Sequence, residues 1–205
     1  AVLNVIRSAD KTLSHYSFSY LAESGNVFAF EKEFARWFGR KYCVAMNSGT
    51  SALFVAIRAC LSPKYDLQHS PSLPISIPAY TFVADAEAVV ANGCRIRFED
   101  IDKNDYCMDP TLLNPEIAIP VHTLGNVCPP DRFPKKAKYI IEDCAQNVGG
   151  LYKNKKVGNF GDIAMFSGQG TKNLGAGEMG WCCTDNRELS ERMCAIRNHS
   201  DYYPA

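Results

Sequence analysis

No basic cluster stands out in this chain of 205 residues, and 22 lysines and arginines balance 22 aspartates and glutamates to a formal charge of zero. Nucleic acids and anionic membranes bind through concentrated positive charge, so neither is an expected partner. Long apolar runs are also missing. The longest, "SALFVAIRACL", contains Arg58 and is too short to cross a bilayer. No CxxC pair occurs among the nine cysteines, an odd number scattered through apparent core segments. Cys43, Cys60, Cys94, Cys144 and Cys194 stand where small apolar residues would serve, and the adjacent Cys182 and Cys183 would point to opposite faces of a strand. They read as reduced, buried thiols of a cytoplasmic protein, not as a disulfide framework or a metal site. There is no internal repeat and no low-complexity tract. A Walker loop is excluded too, because Lys172 lies between Thr171 and Asn173 and not in a GK[ST] frame.

What remains is an ordinary globular composition, 46% hydrophobic and 21% charged, with enough apolar residues for a sizeable core. "FEKEFARWFG" sets Phe30, Phe34, Trp37 and Phe38 on one helical face, with Gly39 as a stop. "YCVAM" followed by "NSGTSALFVAIRACL" reads as strand, turn and helix, and "ISIP" followed by "AYTFVADAEAVVANG" repeats that order. The intervening "CLSPKYDLQHSPSLP" is a loop by its proline and serine content. "RIRFEDID", "IAIPVHT", "AKYIIEDCAQ", "DIAMFS" and "MGWCC" are further strand candidates. The last helix, "TDNRELSERMCAIRNH", opens on a capping box of Asp185 with Glu188 and carries an apolar stripe of Leu189, Met193 and Ile196. Strands alternating with helices predict an α/β layer structure with a largely parallel sheet. Ligands of such sheets sit beyond the carboxyl ends of the strands. Asp143, Thr50, Phe82, His122 and Lys172 all fall at or just past predicted strand ends.

Three of these positions carry chemistry together. Lys172 lies among Gly168, Gly170, Gly175 and Gly177, whose freedom at positive φ suits a shaped loop. The turn "NSGTSAL" offers unpaired N–H groups and the positive end of a helix dipole to a phosphate, although Thr50 or Ser51 also suits plain helix capping. Asp143 follows a buried apolar run, where a carboxylate needs a partner; helix capping is the bland reading there. Lysine, carboxylate and phosphate turn together match the needs of pyridoxal 5′-phosphate. Phe82 is either the ring that stacks on that cofactor or a core aromatic.

In order and spacing, "NSGTSAL", "IPAYTFVADAEAV", "IPVHTLG", "IIEDCAQNVGGLYKNKKVGNFGDIAMFS", "TKNLGAGEMG" and "IRNH" resemble the DegT/DnrJ/EryC1/StrS aminotransferases, sugar-nucleotide enzymes of pyridoxal-phosphate fold type I. The resemblance implies a large α/β domain around a mostly parallel seven-stranded sheet, over residues 31–205, after an N-terminal segment 1–30. It implies that a small C-terminal domain lies outside these residues. Lys172 would bond the cofactor covalently and shuttle protons. Asp143 would face the pyridine nitrogen, Gln146 the phenolic oxygen, and Phe82 the ring. Gly49, Thr50 and Ser167 would hold the phosphate.

The implied reaction moves an amino group from glutamate or glutamine to a keto-sugar nucleotide in a homodimer. A non-catalytic, regulatory relative of the same fold is the alternative. Family dehydratases carry histidine in place of the lysine, and Lys172 counts against them. "GEMG" departs from the family's Gly-Glu-Gly-Gly turn at Met179, Gly168 stands where an aromatic is common, and "RNHS" replaces "RNHG".

Overall fold

The computed structural model describes residues 25–61, 73–109 and 115–198. Helix α1 (Gly25–Phe38) leads into β1 (Tyr42–Met46) and α2 (Gly49–Leu61). Strand β2 (Pro74–Pro78), α3 (Val83–Ala91), β3 (Arg95–Glu99) and the short β4 (Ile117–Ala118) follow. Then come β5 (Tyr139–Asp143), a small hairpin of β6 (Leu151–Tyr152) and β7 (Lys155–Lys156), β8 (Ile163–Ser167), β9 (Gly180–Thr184) and α4 (Arg187–Arg197). The expected loop over 60–74 and the end of the chain from residue 199 lie largely outside the described residues, as does most of the segment 1–30.

Seven strands form one sheet in the order β1-β9-β8-β5-β4-β2-β3. Only β9 runs against its neighbours, pairing antiparallel with both β1 and β8. The period-two alternation of side chains sorts the sheet into two cores. Val44, Met46, Ile163, Met165 and Cys182 face the larger core with α2, α3 and α4. Cys43, Ala164, Phe166, Trp181 and Cys183 face the other with Phe34 and Phe38 of α1. Cys182 and Cys183 thus point to opposite faces, and all nine cysteines are buried and free. Phe166 and Trp181 stack with centroids 5.5 Å apart, and Phe34 meets Trp181 edge-on at 5.0 Å. Burial of each such ring contributes about 2–3 kcal/mol.

Four local expectations change. Trp37 is half exposed at the border of the α1 stripe, where the Lys156 ammonium lies 4.0 Å from its ring centroid. The strand expected over "IAIPVHT" shrinks to Ile117–Ala118 with a bridge from Val121 to Asp143, because Pro120 has no N–H for the ladder. The cap of α4 is Asn186, whose side chain accepts from the N–H groups of Glu188 and Leu189. Asp185 instead accepts from Arg40 at 3.0 Å and from the Lys41 N–H at 2.9 Å. Of the four glycines around Lys172, only Gly177 has a positive φ, +96°. Gly168 and Gly175 are needed for space: a Cβ would meet Met179 at 2.6 Å in the first case and the Gly170 carbonyl oxygen at 2.9 Å in the second.

Candidate active site

Because β9 alone is reversed, β1, β2, β5 and β8 end at one edge of the sheet. The segments leaving those four ends line a cavity of about 290 Å³. Gly49 and Thr50 come after β1, Phe82 after β2, Asp143 and Gln146 from β5, and Ser167 and Lys172 from β8. All seven sequence-predicted site residues therefore meet in one place. His122 does not join them. It is fully buried behind β5 and does not line the cavity.

One end of the cavity is built for an oxyanion. The cap of α2 is Ser48, whose hydroxyl accepts from the Ser51 N–H at 3.1 Å. Neither Thr50 nor Ser51 is needed for that role. The first-turn N–H groups of Gly49 and Thr50 have no acceptor within the helix. The Ser167 hydroxyl lies beside them: a Cβ on Gly49 would fall 2.8 Å from Ser167 Cβ and 3.0 Å from its oxygen. Glycine is thus required at 49 by the approach of α2 to the end of β8. The positive end of the helix and the Ser167 hydroxyl converge there, with Thr50 on the same wall, which suits a phosphate.

The other end is acidic. Asp143 ends β5, and its Oδ1 accepts from the Ala145 N–H at 2.7 Å. No helix follows, so Asp143 fixes a turn and is not a helix cap. Burial raises its pKa above the usual carboxylate value, against the pull of the Ala145 N–H, a bond with Asp85 and the charge of Lys172. Its neighbour Glu142 points to the opposite side of the strand and holds the scaffold. Glu142 accepts from the N–H groups of Gly158, Phe160 and Gly161 at 2.8, 2.7 and 2.5 Å. His122 Nδ1 accepts from the Cys128 N–H at 3.1 Å, so the proton sits on Nε2 and is donated to Glu142 at 3.3 Å. Burial pushes Glu142 upward, yet His122 and the backbone donors hold its pKa below the ordinary value.

Between the two ends stand Phe82 and Lys172. The Phe82 ring is 62% exposed, so it is not a core aromatic. Lys172 is half-buried on a loop shaped by its own hydrogen bonds: Lys172 N to Gln169 O at 2.8 Å, Gly168 N to Met179 O at 2.8 Å and Ala176 N to Gly168 O at 2.8 Å. The Gln146 side-chain oxygen Oε1 accepts from the Leu124 N–H at 2.8 Å, which leaves the side-chain nitrogen Nε2 to donate elsewhere. Glu178 and Gln169 also reach the wall. The residue that sequence reasoning missed is Asp85, in the first turn of α3 and 1% exposed. Its signal was an acid one place after Ala84 and three before Ala88, on the apolar face of the helix and away from the exposed Glu87. Among the described residues no group of histidine, cysteine and carboxylate side chains is arranged to hold a metal.

The family model described as "DegT/DnrJ/EryC1/StrS aminotransferase family" matches residues 13–203. The spore coat polysaccharide biosynthesis protein SpsC of Bacillus subtilis (strain 168) is 34% identical over 88% of the chain and 47% of its own length. A UDP-N-acetyl-3-dehydro-alpha-D-glucosamine 3-aminotransferase of Acidithiobacillus ferrooxidans is 36% identical over 85% of the chain and 48% of its own. The X-ray structure of an aminotransferase from Psychrobacter cryohalolentis superposes with a TM-score of 0.76 at 30% identity, covering 84% of this chain and 45% of the other. The chain spans about half the length of the curated relatives it matches.

Proposed function

The chain belongs to the DegT/DnrJ/EryC1/StrS aminotransferase family, and from that premise we propose that its cavity holds pyridoxal 5′-phosphate and serves transamination of a keto-sugar nucleotide. The observation that carries this reading is the meeting of Lys172, Asp143, Ser167 and the α2 N-terminus around one cavity of about 290 Å³. The residues fit the group at each end. The Gly49 and Thr50 N–H groups and the Thr50 and Ser167 hydroxyls would hold its phosphate. Asp143, already ordered by Ala145, would face its ring nitrogen. Phe82 would cover one ring face, Gln146 would donate toward the phenolic oxygen, and Lys172 would bond the cofactor through Nζ.

When bound, the group supplies an aromatic ring that accepts electrons from the substrate carbon. Once the incoming amine displaces it from the cofactor, Lys172 Nζ would carry the proton from the substrate carbon to the cofactor in the donor half and in the reverse sense in the acceptor half, as general acid and base. Asp143 keeps the ring nitrogen protonated by its negative charge. The half-buried setting of Lys172 limits water around its amine.

The acceptor is a keto-sugar joined to a nucleotide, the kind of substrate in the name of the Acidithiobacillus relative, and the amino donor is glutamate or glutamine. The working form is a homodimer in the cytoplasm, where nine buried thiols stay reduced. No helix among the described residues is long and apolar enough to cross a membrane. Borohydride reduction of the chain with added pyridoxal phosphate, followed by peptide mapping, tests the assignment. The label is expected on Lys172. A label on Lys153 with Lys172 unmodified overturns it, and an unlabelled chain favours the non-catalytic relative.

A further inference from the structure

Asp85 and Asp143 are two buried carboxyls on one wall of the same cavity, 1% and 5% exposed. The Thr81 hydroxyl donates to Asp85 Oδ2 at 2.6 Å. Asp85 Oδ1 is buried without a hydrogen-bond donor among the described residues. The group facing it is the Asp143 carboxyl, an acceptor whose own Oδ1 is already served by the Ala145 N–H. Two carboxylates with no donor between them repel, and each would lack a partner in a dry site. A single shared proton removes both faults. It converts Asp85 Oδ1 into a donor and gives Asp143 a second hydrogen bond.

We propose that Asp85 is a positioning residue of the cofactor site, a buried acid that keeps its proton at neutral pH and donates it to Asp143. The inference rests on the cofactor reading above. Thr81 and Asp143 set which member of the pair carries the proton. Asp143 also feels the positive charge of Lys172 and receives the Ala145 N–H, both of which favour its charged form. Asp85 has only the Thr81 hydroxyl and its own backbone N–H to favour charge, against burial and the charge of Asp143. The proton therefore stays on Asp85, and the pair carries one negative charge. That charge is delivered by a carboxylate locked from two sides, Ala145 and Asp85, so Asp143 meets the ring nitrogen in one orientation. Asp85 touches no reacting atom.

The test has one arm that needs no cofactor. In the full chain without cofactor, infrared difference spectra between parent and Asp85→Asn at neutral pH are expected to show loss of one protonated carboxyl stretch. In the second arm, pyridoxal phosphate binding is followed by absorbance across pH for the parent, Asp85→Asn and Asp85→Ala. The amide nitrogen of asparagine can still donate to Asp143, so Asp85→Asn is expected to bind within about twofold of the parent, while Asp85→Ala binds about tenfold more weakly. If no protonated carboxyl disappears, or if asparagine is as damaging as alanine, the proposal fails. If the carboxyl disappears on schedule but no chain binds the cofactor, the assignment of the site fails and the shared proton stands.

Discussion

The ammonium of Lys172 lies 5.5 Å from the centroid of the Phe82 ring, with each residue on a different loop of the same sheet edge. Neither side chain is part of either hydrophobic core. Their spacing is about that of a cation resting over an aromatic face, and the gap is where a flat ring would slide. Phe82 keeps most of its surface in contact with solvent, as the platform of the proposed site would.

Phe82→Ala is therefore expected to leave thermal stability nearly unchanged and to weaken pyridoxal phosphate binding about tenfold, the loss of one aromatic stacking contact with its buried area. Phe82→Trp should retain most of the affinity. Equal binding by the alanine and parent proteins, measured by fluorescence titration, would remove Phe82 from the site.

Gly49 and Ser167 make a second pair. A methyl group at 49 would sit 2.8 Å from Ser167 Cβ, so Gly49→Ala should cost about 1–2 kcal/mol of stability through overpacking and also weaken phosphate binding. Adding Ser167→Gly makes room for the methyl group but removes the hydroxyl. The double variant is expected to regain stability in urea unfolding while its affinity stays low. Recovery of both would show that the Ser167 hydroxyl is no phosphate ligand.

Much of this arrangement was legible from residue order. Three of the four strands that end at the cavity are short apolar runs broken by a polar signal: Met46 before Asn47, Ile141 before Glu142 and Asp143, Phe166 before Ser167. A parallel sheet brings such ends together, so Thr50, Phe82, Asp143 and Lys172 could be grouped from the sequence, and the family resemblance added Gly49, Gln146 and Ser167. Other features depend on through-space contacts. Asp185 and Asn186 are equally good caps in sequence, and Arg40, 145 residues away, decides between them by taking Asp185. His122 ends its strand like a site residue, but Cys128 and Glu142 draw it to the other side. Gly168 and Gly170 look alike in the chain, and only the packing of Met179 tells them apart. Asp85 was hidden because its partner lies 58 positions downstream on another element.

Glu142 offers a prediction about pH. Its folded pKa is lowered, so it stabilises the fold above the ordinary glutamate range, and that contribution is lost as pH falls through the lowered folded value. Glu142→Gln turns donors toward the N–H groups of Gly158, Phe160 and Gly161, and should cost about 3 kcal/mol at pH 7. The gap between parent and variant in urea midpoints should narrow as the solution is acidified below about pH 4, near the ordinary glutamate pKa. A gap that is the same at every pH would mean that Glu142 titrates alike in the folded and unfolded chain, so that its charge adds no stability.

Asp143→Asn separates holding the cofactor from using it. In the proposed site the phosphate grip would come from the Gly49 and Thr50 N–H groups and the Ser167 hydroxyl, on elements that Asp143 does not support, so cofactor affinity is expected to fall by less than about tenfold. Catalysis is another matter. An asparagine can accept or donate one hydrogen bond at the ring nitrogen, but it brings no negative charge to keep that nitrogen protonated. Without the proton the ring is a poor electron acceptor, and the barrier to removing the substrate proton by Lys172 rises. A loss of about a hundredfold or more in the amino-transfer half-reaction corresponds to about 2.7 kcal/mol, within the range of one well-aimed charge in a dry site. The variant also removes the charge that Asp85 faces, so its pH profile should flatten on the acid side. Single-turnover absorbance with glutamate or glutamine as donor measures the step directly. If Asp143→Asn transfers the amino group at the parent rate, Asp143 does no more than close the turn at Ala145.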